Sequence, residues 1–218
     1  MTAFAALNEH RISTGTIVIP WVGLWSADVM LDSTATLSGL VTLTLGTLSL
    51  VGSIFRQADW AGALRLRLIG GHGGWLKTLP PSGYNLITGV QLSTVLGDAA
   101  RDVGETVKLA SDRSLGNFYT REEAPAERLL NRLSSTWYVR PDGSTYVGDR
   151  ASGEIVSQFD VLSYDGGRGS ALVGVTDAYA DWTPGRTFRS AQITTPFQIG
   201  AVTMKIGKEQ TRVEVMHR

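Results

Sequence analysis

Leu40-Val41-Thr42-Leu43-Thr44-Leu45-Gly46-Thr47-Leu48-Ser49-Leu50-Val51 lies inside a run, Ser33 to Phe55, that carries no charged residue. A hydropathy window reads such a run as a membrane span. Its spacing says otherwise. Val41, Leu43 and Leu45 alternate with Thr42, Thr44 and Gly46, and Leu48 and Leu50 alternate with Thr47 and Ser49. A period of two places apolar groups on one face of a strand and hydroxyls on the other. A lipid-facing helix has no use for a hydroxyl at every second position. The stretch is therefore expected to form a β-hairpin, and the chain to be β-rich.

The pattern extends to both sides. Thr16 to Val22 is β-branched and closes on Pro20-Trp21. In Leu64 to Ile69, Leu64, Leu66 and Leu68 face one way and Arg65 and Arg67 the other. Gly70, Gly71, Gly73 and Gly74 then surround His72, and Pro80-Pro81 breaks any element. Beyond it the period changes. Leu92, Val95, Leu96, Ala99, Ala100 and Val103 recur at helical spacing and stop at Gly104. A second helix is predicted from Pro125 to Leu133, since proline suits a first helical position. Trp137-Tyr138-Val139 and Thr145-Tyr146-Val147 flank a Pro-Asp-Gly turn and predict a hairpin. From Glu154 the chain reads as strands again: Ile155 to Tyr164, Ala171 to Thr176, Thr187 to Ile193, Gln198 to Ile206 and Thr211 to Met216. Three units follow: a β-barrel-like domain over 1–82, a small helix–helix–hairpin unit over 83–150, and a second β-barrel-like domain over 151–218.

Composition narrows the function classes. The 218 residues hold 20 Lys plus Arg against 20 Asp plus Glu, so no net charge draws the chain to nucleic acid or an anionic membrane. A chain of this length buries roughly 70% of its extended surface. With no cysteine, disulfides and thiolate chemistry are excluded. Thr2 to Leu7 is apolar but short, lacks a basic flank and is followed by Glu9, so no secretory signal is expected.

Nothing spells out a reaction. His10, His72 and His217 are scattered, with no partner at metal-ligand spacing. The Gly-rich loop at His72 runs into Trp75-Leu76-Lys77 and lacks the Gly-Lys-Ser/Thr ending of a phosphate loop. Either a tight turn or a loop packed on a neighbouring subunit accounts for it. Glu122-Glu123 suits a helix N-terminus. No carboxylate pair is singled out for glycosidase chemistry, and Ser111 to Ser114 lacks the glycines of a nucleophile elbow. No catalytic residue, metal site or cofactor is expected. Low charge and six tryptophans make Trp21, Trp25, Trp60, Trp75 and Trp137, with Arg65 and Arg67, the candidates for subunit contact. Plain core packing is the competing account of the same tryptophans.

Several of these segments resemble the baseplate hub proteins of long-tailed bacteriophages. Leu43 to Gly52 looks like the hairpin of the first barrel in such hubs, and Arg65 to Gly71 with Gly73-Gly74-Trp75 like the strand that closes it. Leu92 to Glu105 looks like the small helical unit, and Trp137 to Gly143 like the hairpin after it. The resemblance implies a mainly β fold with two tail-tube-like β-barrels and a small insert. It implies a non-enzymatic virion protein at the tail baseplate, assembled as a homotrimer whose barrels form a pseudo-sixfold ring. Such a ring joins a sixfold tail tube, or a distal tail protein, to a threefold central spike, and meets a tape-measure protein. The genome passes without specific binding, and no membrane is involved. A cell-wall-degrading tail enzyme and a soluble β-barrel carbohydrate- or ligand-binding module are the alternatives from other classes.

Overall fold

The structure is a computed structural model that describes residues 5–32, 37–60, 62–208 and 210–218, and the side chains of all of these except Trp60 and Thr194. Its first six strands are β1 (Ala5–Leu7), β2 (His10–Ile19), β3 (Ser26–Leu31), β4 (Leu40–Leu45), β5 (Leu48–Trp60) and β6 (Ala63–Gly70). The alternating run is the β4–β5 hairpin, with Leu45 opposite Leu48. Only Gly46 and Thr47 make the turn. Gly46 has φ +52°, a conformation glycine adopts without strain. The strands pair antiparallel in the cyclic order β1-β4-β5-β6-β3-β2 and back to β1, so the barrel closes. Closure leaves no free edge. Leu7, Leu31, Leu43, Leu45 and Leu68 fill the interior and have no exposed surface. Each such side chain contributes roughly 1.5–3 kcal/mol by leaving water.

β2 does double duty. His10 and Arg11 pair with β1 to close the barrel, while Gly15 to Ile19 pair with β18 (Ile193–Ile206). Around that strand lie β14 (Gly153–Glu154), β15 (Phe159–Asp165), β16 (Ser170–Val175), β17 (Arg186–Ser190) and β19 (Thr211–His217). The order continues β18-β19-β16-β15, and β17 pairs with β14 and with the first part of β18. The first and last parts of the chain thus share one twelve-stranded sheet and one hydrophobic core. The last unit curls around its aromatics without closing: among the described residues β15 pairs only with β16.

The middle of the chain has its own core. It holds β7 (Thr78–Leu79), β8 (Ser82–Asn85), α1 (Leu92–Val103), β9 (Val107–Leu109), β10 (Phe118–Arg121), β11 (Ala124–Pro125), α2 (Ala126–Leu133), β12 (Trp137–Val139) and β13 (Thr145–Val147). All six periodic residues of the α1 pattern are buried. The helix stops at Gly104, φ +79°, where Gly104 N–H bonds Arg101 C=O and Glu105 N–H bonds Ala100 C=O. That is a Schellman cap. β12 and β13 form the expected hairpin, and β9 joins β13 in parallel. The hairpin locks onto the barrel through Gly23 N–H to Trp137 C=O (2.7 Å) and Val51 N–H to Pro141 C=O (2.8 Å).

Candidate assembly surface

The tryptophans fall into distinct environments. Trp25, Trp75 and Trp137 are buried within the chain itself. Trp25 lies across Gly52 and Gly70, which face each other on β5 and β6. A methyl group at either glycine would come within 2.6 Å of the indole. Trp75 donates its indole N–H to Thr145 Oγ1 at 2.6 Å, and Trp137 donates to Asn131 Oδ1 at 2.8 Å. These three anchor the chain's own cores, which leaves no indole surface for a subunit contact. Trp21 is half-buried. The Arg218 guanidinium lies 4.0 Å from its ring centroid. Trp60 ends β5, and its side chain lies outside the described set.

Arg65 and Arg67 are exposed on β6, as their alternation requires. Arg67 meets Asp28 at 3.6 Å. They belong to a wider pattern that the sequence alone conceals. Reading across paired positions, one row of the shared sheet runs Arg56–Arg67–Asp28–Thr16–Lys205–Arg212. It crosses β5, β6, β3, β2, β18 and β19 and spans about 24 Å at the spacing of strands in a sheet. The row borders a groove of about 820 Å³ with Thr14, Gln57 and Arg65 along its wall. Arg56, Lys205 and Arg212 are invisible as a set until register is known, because they are distant in sequence. Only their parity with Arg65 and Arg67 on alternating strands could have hinted at it.

Two further surfaces carry exposed apolar groups. Ile87, 95% exposed, and Phe118, 72% exposed, sit with Leu86 at the tip of the β8–β10 ribbon. Val156, 91% exposed, and Leu162 flank the free edge of β15. Beside that edge, Ser157 to Val161 and Arg189 to Gln192 border a cleft of about 450 Å³.

Buried polar groups hold the units together. The Schellman cap aims Glu105 at the glycine-rich loop. Glu105 Oε1 accepts N–H bonds from His72 (3.1 Å) and Gly74 (2.7 Å), while Oε2 is buried without a partner. Burial raises the Glu105 pKa, and the two backbone donors oppose that shift. A side chain at Gly71 would press on this carboxylate at 3.0 Å, and one at Gly74 would run into Val103 C=O and the Glu105 stem. The loop thus wraps a carboxylate of its own chain. Arg150 donates to Trp21 C=O (2.7 Å) and Pro20 C=O (2.6 Å) and stacks 4.0 Å from the Tyr138 ring centroid. Desolvation lowers its pKa to about 10. At neutral pH it stays charged and ties the end of β2 to the middle unit. Neither residue stands out in sequence.

For chemistry the arrangement offers little. Among the described residues no three His, Asp or Glu side chains gather at ligand distance. His72 Nδ1 lies 3.1 Å from Gly104 C=O, and the His217 ring stacks edge-on to Phe197 at 5.1 Å.

No protein-family model matches the sequence, and no curated protein is similar to it. Solved structures do match. The chain is similar to a tail protein from Neisseria meningitidis MC58 at a TM-score of 0.64 and 14% identity, over 99% of this chain and 96% of that one. It is similar to the 43 kDa tail protein of prophage MuSo2 from Shewanella oneidensis at 0.61 and 9%, over 99% and 96%. An E. coli component of the type VI secretion system, itself described as similar to the T4 bacteriophage tail proteins gp27 and gp5, matches at 0.63 and 10%, over 98% and 74%. At these identities the likeness is one of fold: the mostly β architecture with its closed barrel is that of phage-type tail proteins.

Proposed function

We propose that the chain is a structural, non-enzymatic component of a phage-type tail, and within it the hub of the baseplate. One observation carries the reading: a single sheet runs from a closed barrel into a second β unit, in a fold shared with tail proteins over nearly the whole chain. Two β units per chain let three chains present six similar elements to a sixfold tube. The middle units keep threefold symmetry for a spike. A ring needs heterologous contacts that close on themselves, and the free edge of β15 with its flanking apolar groups suits such a contact. The hub would also adjoin the tape-measure protein and surround the path of the genome.

The test is quantitative mass spectrometry of purified particles, counting this chain against the tube protein. Half the copies of one tube ring is the expected result. Absence from particles would remove the tail reading and favour a soluble binding module instead.

A further inference from the structure

The row Arg56–Arg67–Asp28–Thr16–Lys205–Arg212 holds two like-charge pairs directly opposite each other across strands, Arg56 with Arg67 and Lys205 with Arg212. Like charges placed so are destabilising. The chain does little to relieve them. Asp28 lies 3.6 Å from Arg67, and Glu214 lies 3.2 Å from Lys205, with all four side chains at least 41% exposed. Arg56, Arg65 and Arg212 make no ion pair among the described residues. This face therefore carries a positive surplus within a chain whose net charge is zero.

We infer that this sheet face is a sequence-independent contact surface for the phosphate backbone of duplex nucleic acid. Three features favour a polyphosphate. The cations stand as two pairs at the ends of the row, Arg56 with Arg67 and Lys205 with Arg212, about 14 Å apart at strand spacing, so an anion that meets both pairs must carry charge along its length. Between them lie Thr14, Gly15, Thr16 and Gln57; of the apolar residues along the groove Val29, Leu66 and Ile206 are buried, which leaves Met30 and Ala58 at the surface, with no aromatic anchor of the kind that protein interfaces favour. The charges sit on exposed flexible stems along an open groove rather than around an enclosed pocket, an arrangement that meets phosphates without reading bases. Contacts of this kind are weak and salt-sensitive, which lets a duplex slide. The inference does not rest on the assembly reading, since the isolated full chain suffices to test it.

Binding of the full chain to two unrelated 30-base-pair duplexes is measured by fluorescence anisotropy across a salt series starting near about 50 mM, where phosphate contacts are strong. Both duplexes should bind alike, with affinity falling linearly on a log–log plot. The double variant Arg56→Gln/Arg212→Gln should lower the slope by about 1.8, since each phosphate contact contributes about 0.9. Arg128→Gln, on the exposed side of α2, should change nothing. In the absence of DNA, Arg56→Gln should melt at the same temperature as the parent chain or above it, because it relieves a like-charge pair. Four results would each overturn the inference: no binding at low salt, an unchanged slope in the double variant, preference for one sequence, or displacement by polyglutamate as readily as by polyphosphate. The last would assign the face to an acidic protein.

Discussion

The closed barrel and the open unit at the other end of the same sheet solve one problem differently. In the barrel, three-residue β1 bridges β2 and β4, and every strand finds two neighbours. Its interior is built from the alternating leucines of β4, β5 and β6, with the Trp25 indole over Gly52 and Gly70 as the one large aromatic among its fully buried described residues. In the open unit β15 has one neighbour among the described residues, and an aromatic cluster joins the buried valines of the core: Trp182, Phe188, Phe197 and Phe159 pack with ring centroids 4.9–5.5 Å apart. Aromatic pairs contribute about 0.5–1.5 kcal/mol beyond the area they bury. Where backbone bonding stops short, bulky rings fill the gap. The cost is a free edge, which soluble proteins normally cover or blunt. The barrel is thus a finished object, and the open unit carries the features of a surface that meets something else.

The strongest way to break this contrast is Trp25→Ala. The indole fills the space over Gly52 and Gly70 that no side chain could share. Its loss should cost about 3–5 kcal/mol, read as a drop in the urea midpoint. A cost near that of a surface change would mean that the barrel closes without its plug.

Gly46→Ala attacks the joint between the two regions. The tip of the β4–β5 hairpin docks on the open unit, with Asp177 C=O accepting from Thr47 N–H at 3.2 Å and from Thr47 Oγ1 at 3.1 Å. A methyl group at Gly46 would lie 2.5 Å from that carbonyl, at a positive φ. The expected cost is about 2 kcal/mol, from strain and overpacking together. Two separate unfolding transitions in place of one would show that this joint couples the regions.

Phe159→Ala tests the open side. The ring is half-buried at the edge strand and touches Trp182 and Phe188 edge-on. Because half its surface already meets solvent, the loss should be only about 1 kcal/mol. Amide exchange should sharpen the comparison: β15 should exchange faster than β4 even in the parent chain, since one flank of its ladder is open.

How legible these regions were in the sequence follows the same division. Period two in β4 and β5, and helical spacing in α1, are local signals, and both elements formed where the pattern placed them. The hairpin at Trp137 likewise follows from its turn chemistry. Strand lengths were less legible. β18 runs from Ile193 to Ile206 because two halves of it serve different partners, a property of tertiary pairing. The tryptophans carried no local mark of core against surface. Trp25 is recognisable as a plug only once Gly52 and Gly70 are seen to face each other. The basic row is the extreme case: it exists solely as register, assembled from strands almost 160 positions apart in the chain, from Arg56 to Arg212.

Glu105 offers the finest probe, because two effects on one carboxylate oppose each other. Burial disfavours its charge and raises its pKa above the ordinary 4.5, while the His72 and Gly74 N–H groups favour the charge. Burial is the larger effect. A carboxyl whose folded pKa is raised stabilises the fold at low pH, and that contribution is lost as pH climbs through the raised value. Glu105→Gln keeps an oxygen for both N–H groups and removes the titration. Stability of the parent chain relative to the variant should therefore decline from about pH 4.5 upward and level off once Glu105 is ionised. Urea midpoints taken across that range measure the difference directly. A parent chain that instead gains on the variant with rising pH would mean that the two backbone donors outweigh burial. The glycine-rich loop would then be an anchor for a charged carboxylate rather than a tolerated enclosure around it.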